Sequence, residues 1–164
     1  MHGVAEFKGF TLVELVLTLV LVGILSVSAI GLFATSDSYT ARTVADRFLA
    51  QARFAQQVAL ARAADTVTPI GLSVTRSGNT VSLSVTTGGL PAIREINASG
   101  VVIRRKTSGT SACGGGTASN FTLQFDRRGN LNPAVNNLIC IDGQQTIAIC
   151  ISPLGYAYEA VCDT

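Results

Sequence analysis

Few residues of this 164-residue chain are equipped for chemistry. The only histidine is His2, so Ser-His-Asp, Cys-His and His-metal arrangements are closed to any folded domain, and no paired-carboxylate motif takes their place. Two sets of residues still have types and spacings that imply a task. The first is Gly9-Phe10-Thr11-Leu12-Val13-Glu14, which sets a single carboxylate inside an apolar run. The second is Cys113, Cys140, Cys150 and Cys162, all in the last third of the chain.

From Phe10 to Ala34 the sequence reads FTLVELVLTLVLVGILSVSAIGLFA, with Glu14 its only ionisable side chain. As a helix rising about 1.5 Å per residue, it is roughly 37 Å long and exceeds a hydrocarbon core of about 30 Å. An acid in such a helix costs about 2.5–3.5 kcal/mol on insertion scales, so a plain anchor leaves Glu14 unexplained. A cleavable secretory signal fits no better. Its apolar region is about 7–15 residues long and ends in a small-residue site, which Ala29 and Ala34 do not supply. Lys8 at the edge of the run predicts a cytoplasmic N-terminus.

The cysteines show no CxxC spacing. An even number beyond a membrane segment predicts two disulfides in an oxidising compartment rather than a zinc site, with three connectivities open. Beyond residue 34 there are eleven Lys+Arg and eight Asp+Glu, once Lys8, Glu6 and Glu14 are set aside, a net charge of +3 that predicts no partner by itself. Arg94, Arg104, Arg105, Lys106, Arg127 and Arg128 would meet nucleic-acid phosphates if they shared a face. With aromatics at 6%, too few for base stacking, scattered solvated charges are the better reading. Asp126, Asn130, Asn136, Asn137 and Asp142 lack EF-hand spacing and read as turn formers rather than calcium ligands. No metal or cofactor is expected.

The elements that must position these residues follow from pattern. Residues 1–9 are a short polar lead, and the composition is 48% hydrophobic and 13% charged with a mean hydropathy of +0.42, much of it carried by residues 10–34. Residues 35–64 carry apolar side chains at three- and four-residue steps, including Val44, Phe48, Ala52, Ala55 and Ala59, which predicts an amphipathic helix. No proline precedes Pro69, so one helix from about Phe10 to about Ala64 is expected. Residues 65–164 read as short strands in an antiparallel meander: IGLSVTR, TVSLSVTT, AIREI, VVIRRK, FTLQFD, LICID, TIAICIS and YAYEAV, separated by turn residues. Residues 107–120 read as a long Gly/Ser/Thr loop, and its GGG is not a phosphate loop because no Gly-Lys-Ser/Thr follows. The fold class is α+β.

Gly9, Phe10, Thr11-Leu12-Val13 and Glu14 together resemble the N-terminus of the type IV pilin and pseudopilin superfamily. The resemblance implies that an inner-membrane prepilin peptidase cuts between Gly9 and Phe10 and that Phe10 is N-methylated. It also implies that Glu14, fifth in the mature chain, pairs with a terminal amine to fix register among other pilins of the same filament. The implied location is the inner membrane with a periplasmic C-terminal domain, then the pilus fibre. The leader departs from the pattern in carrying Glu6 and one lysine where such leaders are more basic. A long helix followed by strands is similar to the FimT and GspH-like group. ARTVADRFLAQARFAQQVALAR, FDRRGNL and ISPLGYAYE look most like a minor prepilin of the mannose-sensitive haemagglutinin (MSHA) pilus. A pseudopilin of type II secretion and a DNA-binding tip pilin are the alternatives.

Overall fold

The computed structural model describes residues 11–33, 36–62, 69–86, 92–107, 110–118 and 120–162, with the side chains of 26–39 left aside. Among the described residues two helices precede nine strands, and the chain divides into two compact units, Met1–Ser36 and Asp37–Thr164. Helix α1 is Leu12–Phe33 and helix α2 is Ser36–Ala61. The continuity expected through residues 34 and 35, and the end expected near Ala64, lie outside the described residues.

In the second unit the strands are β1 Ile70–Ser77, β2 Thr80–Thr86, β3 Ala92–Asn97, β4 Val102–Lys106, β5 Thr117–Ala118, β6 Phe121–Phe125, β7 Asn137–Asp142, β8 Thr146–Ile151 and β9 Ala157–Tyr158. They form two antiparallel sheets, ordered β3-β2-β1-β6 and β5-β4-β7-β8-β9. This corrects the expected meander. The hairpins β1–β2 and β7–β8 are sequential, but β6 returns to pair with β1 and β7 with β4. Such non-local pairings are decided by which apolar faces meet in the core, not by any local signal. The chain changes sheets between β3 and β4, at the turn in which Val101 N–H donates to the Ala98 carbonyl.

Alternation along the strands puts Leu72, Val74, Leu83, Val85, Leu123 and Phe125 of one sheet, and Ile103, Ile139, Ile141, Ile149 and Ile151 of the other, into one core. Helix α2 covers that core with Ala41, Val44, Ala45, Phe48, Ala52, Ala55 and Ala59, all buried. Alanine at most of these positions keeps the helix backbone close to the strands, and Phe48 is the one large side chain in the stripe. Truncating a fully buried phenylalanine costs about 3–5 kcal/mol, so Phe48 is the main helix contribution to the core.

Candidate functional site

The first candidate is the start of α1. The Thr11 hydroxyl accepts a hydrogen bond from Glu14 N–H at 3.3 Å, and the Thr11 carbonyl accepts from Leu15 N–H at 3.2 Å. Thr11 is therefore the N-cap and Glu14 the third helical residue, the T-x-x-E spacing of a capping box. Thr18 donates its hydroxyl to the Leu15 carbonyl at 2.9 Å, so this polar group is satisfied inside the helix.

The rest of the described surface of α1 is apolar on every side. Leu12, Val13, Leu15, Val16, Leu17, Leu19, Val20, Leu21, Val22, Ile24 and Leu25 are all at least half exposed. Among the described residues, no basic group lies within ion-pair distance of Glu14, and no helix is long and apolar enough to cross a membrane. Side chains of α1 are described only as far as Leu25, a rise of about 20 Å from Leu12. Gly9 and Phe10 lie outside the described residues.

In the second unit, Cys113 is bonded to Cys140 and Cys150 to Cys162, with Cα–Cα distances of 5.7 and 5.1 Å. Leu138, Cys140, Ala148 and Cys150 share the face of β7 and β8 opposite the main core, where the disulfides form a small second cluster with Cys113 and Cys162. One bond ties the 107–120 segment to β7 and the other ties the C-terminal segment to β8. The expected loop is also more ordered than a tether: β5 lies within it, paired with Arg104 and Arg105. The C-terminal segment is held to α2 as well, because Arg42 grips the Glu159 carboxylate at 2.7 and 2.9 Å and Gln56 Nε2 donates to the Leu154 carbonyl at 3.0 Å. Glu159, with help from Asp46, raises the Arg42 pKa above its ordinary value.

The basic residues do not form one patch. In β4, Arg104 and Lys106 lie on the face that carries the disulfides, and Arg105 lies on the other, because successive strand residues alternate. Arg104 pairs with Asp142 at 3.2 Å and Lys106 Nζ donates to the Ala112 carbonyl at 2.8 Å. Arg105 turns between the sheets, donating from Nε to Asn137 Oδ1 at 2.6 Å and from Nη1 to the Thr122 carbonyl at 3.3 Å, with its guanidinium 5.8 Å from the Phe121 ring centre. Burial lowers its pKa. Arg127 and Arg128 stand in the turn after β6, about 16 Å or more along that strand from Phe121. Arg94 is on β3, in the other sheet from β4.

The oxygen-bearing residues act within turns. Asp126 Oδ1 accepts from the backbone N–H groups of Arg128 and Asn130, and Asp142 accepts from Thr146 as well as Arg104. Among the described residues, no group of three metal-ligating side chains converges. Thr11 was legible as a cap from its spacing to Glu14. The Asn137 and Phe121 contacts to Arg105 depend on β4 and β6 lying in facing sheets and left no local signal.

Residues 6–30 match the prokaryotic N-terminal methylation motif. The structure is similar to two crystal forms of the type IV minor pilin FimU from Pseudomonas aeruginosa PAO1. Each gives a TM-score of 0.51 over 72% of this chain, covering 90% and 86% of the FimU chains at 16% and 17% identity. No curated protein sequence matches the chain. The two helices and antiparallel sheets are thus the α+β fold of a type IV pilin.

Proposed function

We propose that this chain is a non-enzymatic structural subunit of a type IV pilus-like filament, incorporated as a minor component. The observation that carries the proposal is α1: apolar on all its described sides, exposed, capped by Thr11, and bearing one carboxylate in its first turn. A helix of that kind is stable only when lipid or other apolar helices surround it.

The prepilin peptidase cuts between Gly9 and Phe10 and methylates the new Phe10 amine, in keeping with the methylation motif over residues 6–30. Residues 10–34 then anchor the chain in the inner membrane, N-terminus inward, until extraction into the filament. The amine stays cationic when methylated, and in the bundle it neutralises Glu14. A buried acid that is costly alone becomes a register pin when paired, and breaking such a pair costs about 3–5 kcal/mol.

Within this class, a minor pilin of the MSHA type remains the subfamily reading, supported by the α2, FDRRGNL and ISPLGYAYE segments. A type II secretion pseudopilin would use the same residues in a different machine. A nucleic-acid receptor is less well supported, since Arg104, Arg105 and Lys106 divide between two faces and the first two are engaged with Asp142 and Asn137.

Filament incorporation tests the proposal. In cells expressing the chain with its filament machinery, Glu14→Ala is expected to leave its amount in the membrane unchanged and to remove it from sheared surface filaments. Equal incorporation of wild type and variant would reject the role given to Glu14.

A further inference from the structure

Between the two sheets of the second unit lies an open cleft of about 530 Å³, lined by Arg105, Thr107, Thr117, Phe121, Pro133 and Val135. The size falls within the roughly 300–1,000 Å³ of small-ligand sites. A smaller hollow of about 210 Å³ continues past Arg105 along Thr107, Gly116 and Thr117.

The cleft holds a cation, Arg105. Among the described residues Arg105 has no carboxylate partner, for Asp142 is taken by Arg104 on the opposite face of the same strand. Arg105 is half-buried, and a charge partly withdrawn from water is normally paired. The guanidinium is also held in one orientation. Nε is fixed by Asn137 Oδ1, the Asn137 amide is itself anchored on the Val135 carbonyl at 2.9 Å, and Nη1 reaches the Thr122 carbonyl. Asn137 is buried. A guanidinium carries five N–H donors, and these bonds use one from Nε and one from Nη1. Among the described residues Nη2 has no acceptor and Nη1 keeps a second N–H, so donors remain on both terminal nitrogens for a planar carboxylate. Phe121, Pro133 and Val135 supply apolar walls beside those donors, and Thr107 and Thr117 supply hydroxyls at the rim. Among the described residues no acidic side chain lines the cleft to repel an anion.

From this we infer that the cleft binds a carboxylate carried on an apolar body, with Arg105 Nη1 and Nη2 taking the carboxylate and Phe121, Pro133 and Val135 taking the body. An inorganic anion would leave the apolar walls uncovered. The ligand's source is either a small organic acid or the carboxyl end of a peptide, and one experiment separates them.

Full-length protein in non-ionic detergent micelles is titrated by calorimetry with 4-phenylbutyrate, with its neutral amide, and with acetyl-Ala-Leu-Val bearing either a free or an amidated C-terminus. Saturable binding of either free acid, roughly tenfold or more weakened in its amide, is the expected result. A preference for the peptide assigns the site to a partner's C-terminus, and a preference for phenylbutyrate assigns it to a small acid. Arg105→Gln should abolish the discrimination. Because that variant also loses the Asn137 bond, Val135→Trp serves as a second probe: it fills the mouth, leaves Arg105 in place, and should block binding with the thermal midpoint retained. Equal binding of acid and amide, no saturation by any probe, or undiminished binding to both variants would overturn the inference. So would Arg105-dependent binding of single-stranded oligonucleotide without any binding of carboxylate.

Discussion

The two helices are similar in length, 22 and 26 residues, yet opposite in how they are covered. Helix α2 has one apolar stripe, and its own domain buries it; Ala41, Phe48, Ala52 and Ala55 have no exposed surface. Helix α1 has apolar side chains all round and none of its described ones is buried. A stripe calls for one sheet, and the chain provides two. A full apolar cylinder calls for apolar surroundings on every side. The contrast supports the proposal that the first helix serves assembly, while the second serves the fold of its own unit.

The largest expected effect that tests this contrast is a pair of substitutions. Phe48→Ala should lower the stability of the folded domain by about 3–5 kcal/mol in denaturant titration of the full chain in non-ionic micelles. Leu17→Ala, in α1, should leave that transition where it is. Equal losses would mean that α1 also packs in the domain's core.

Next come the disulfides, which replace part of the core that a small domain lacks. On a loop-closure basis, removing Cys113–Cys140, with a sequence separation of 27, should cost about 3.5 kcal/mol, and removing Cys150–Cys162, with a separation of 12, about 2.8 kcal/mol. Non-reducing peptide mapping should recover those two pairs and no other, and thermal melts of the double-serine variants should follow that order.

A smaller loss, about 1–3 kcal/mol, is expected for Gly155→Ala. Gly155 has a φ of +83°, and an added Cβ would lie 1.9 Å from the Gly129 carbonyl oxygen. The clash should part the turn after β8 from the turn after β6 without disturbing α1. Melting temperature and the amide spectra of Gly129 and Gln56 would report it. Least of all, Glu159→Gln should barely move the melting midpoint, because Arg42 and Glu159 meet in solvent. High salt should erase what difference there is.

How far these features can be read in sequence differs between local and distant ones. The strand segments IGLSVTR, TVSLSVTT, FTLQFD and TIAICIS stand nearly where alternation puts them, and the Val44–Ala59 stripe is the stripe α2 buries. What depends on distant pairing is less legible. The β1–β6 and β4–β7 partners, and with them the division into two sheets, follow from how separate apolar faces close on one core. The cysteine pairing follows in turn from that sheet arrangement, since Cys140 and Cys150 face the same side only once β7 and β8 are paired. Strand β5 has no apolar alternation to announce it. The separation of Arg105 from Arg104 and Lys106 was legible, however, because three consecutive strand residues cannot share a face.

The central claim is that α1 is made for processing and assembly, and the mass of the mature chain tests it most directly. After co-expression with a prepilin peptidase, intact-mass and N-terminal peptide spectrometry should show a chain shortened by the nine residues through Gly9 and beginning with N-methylated Phe10. An intact leader, or a cut near Ala34, would contradict it.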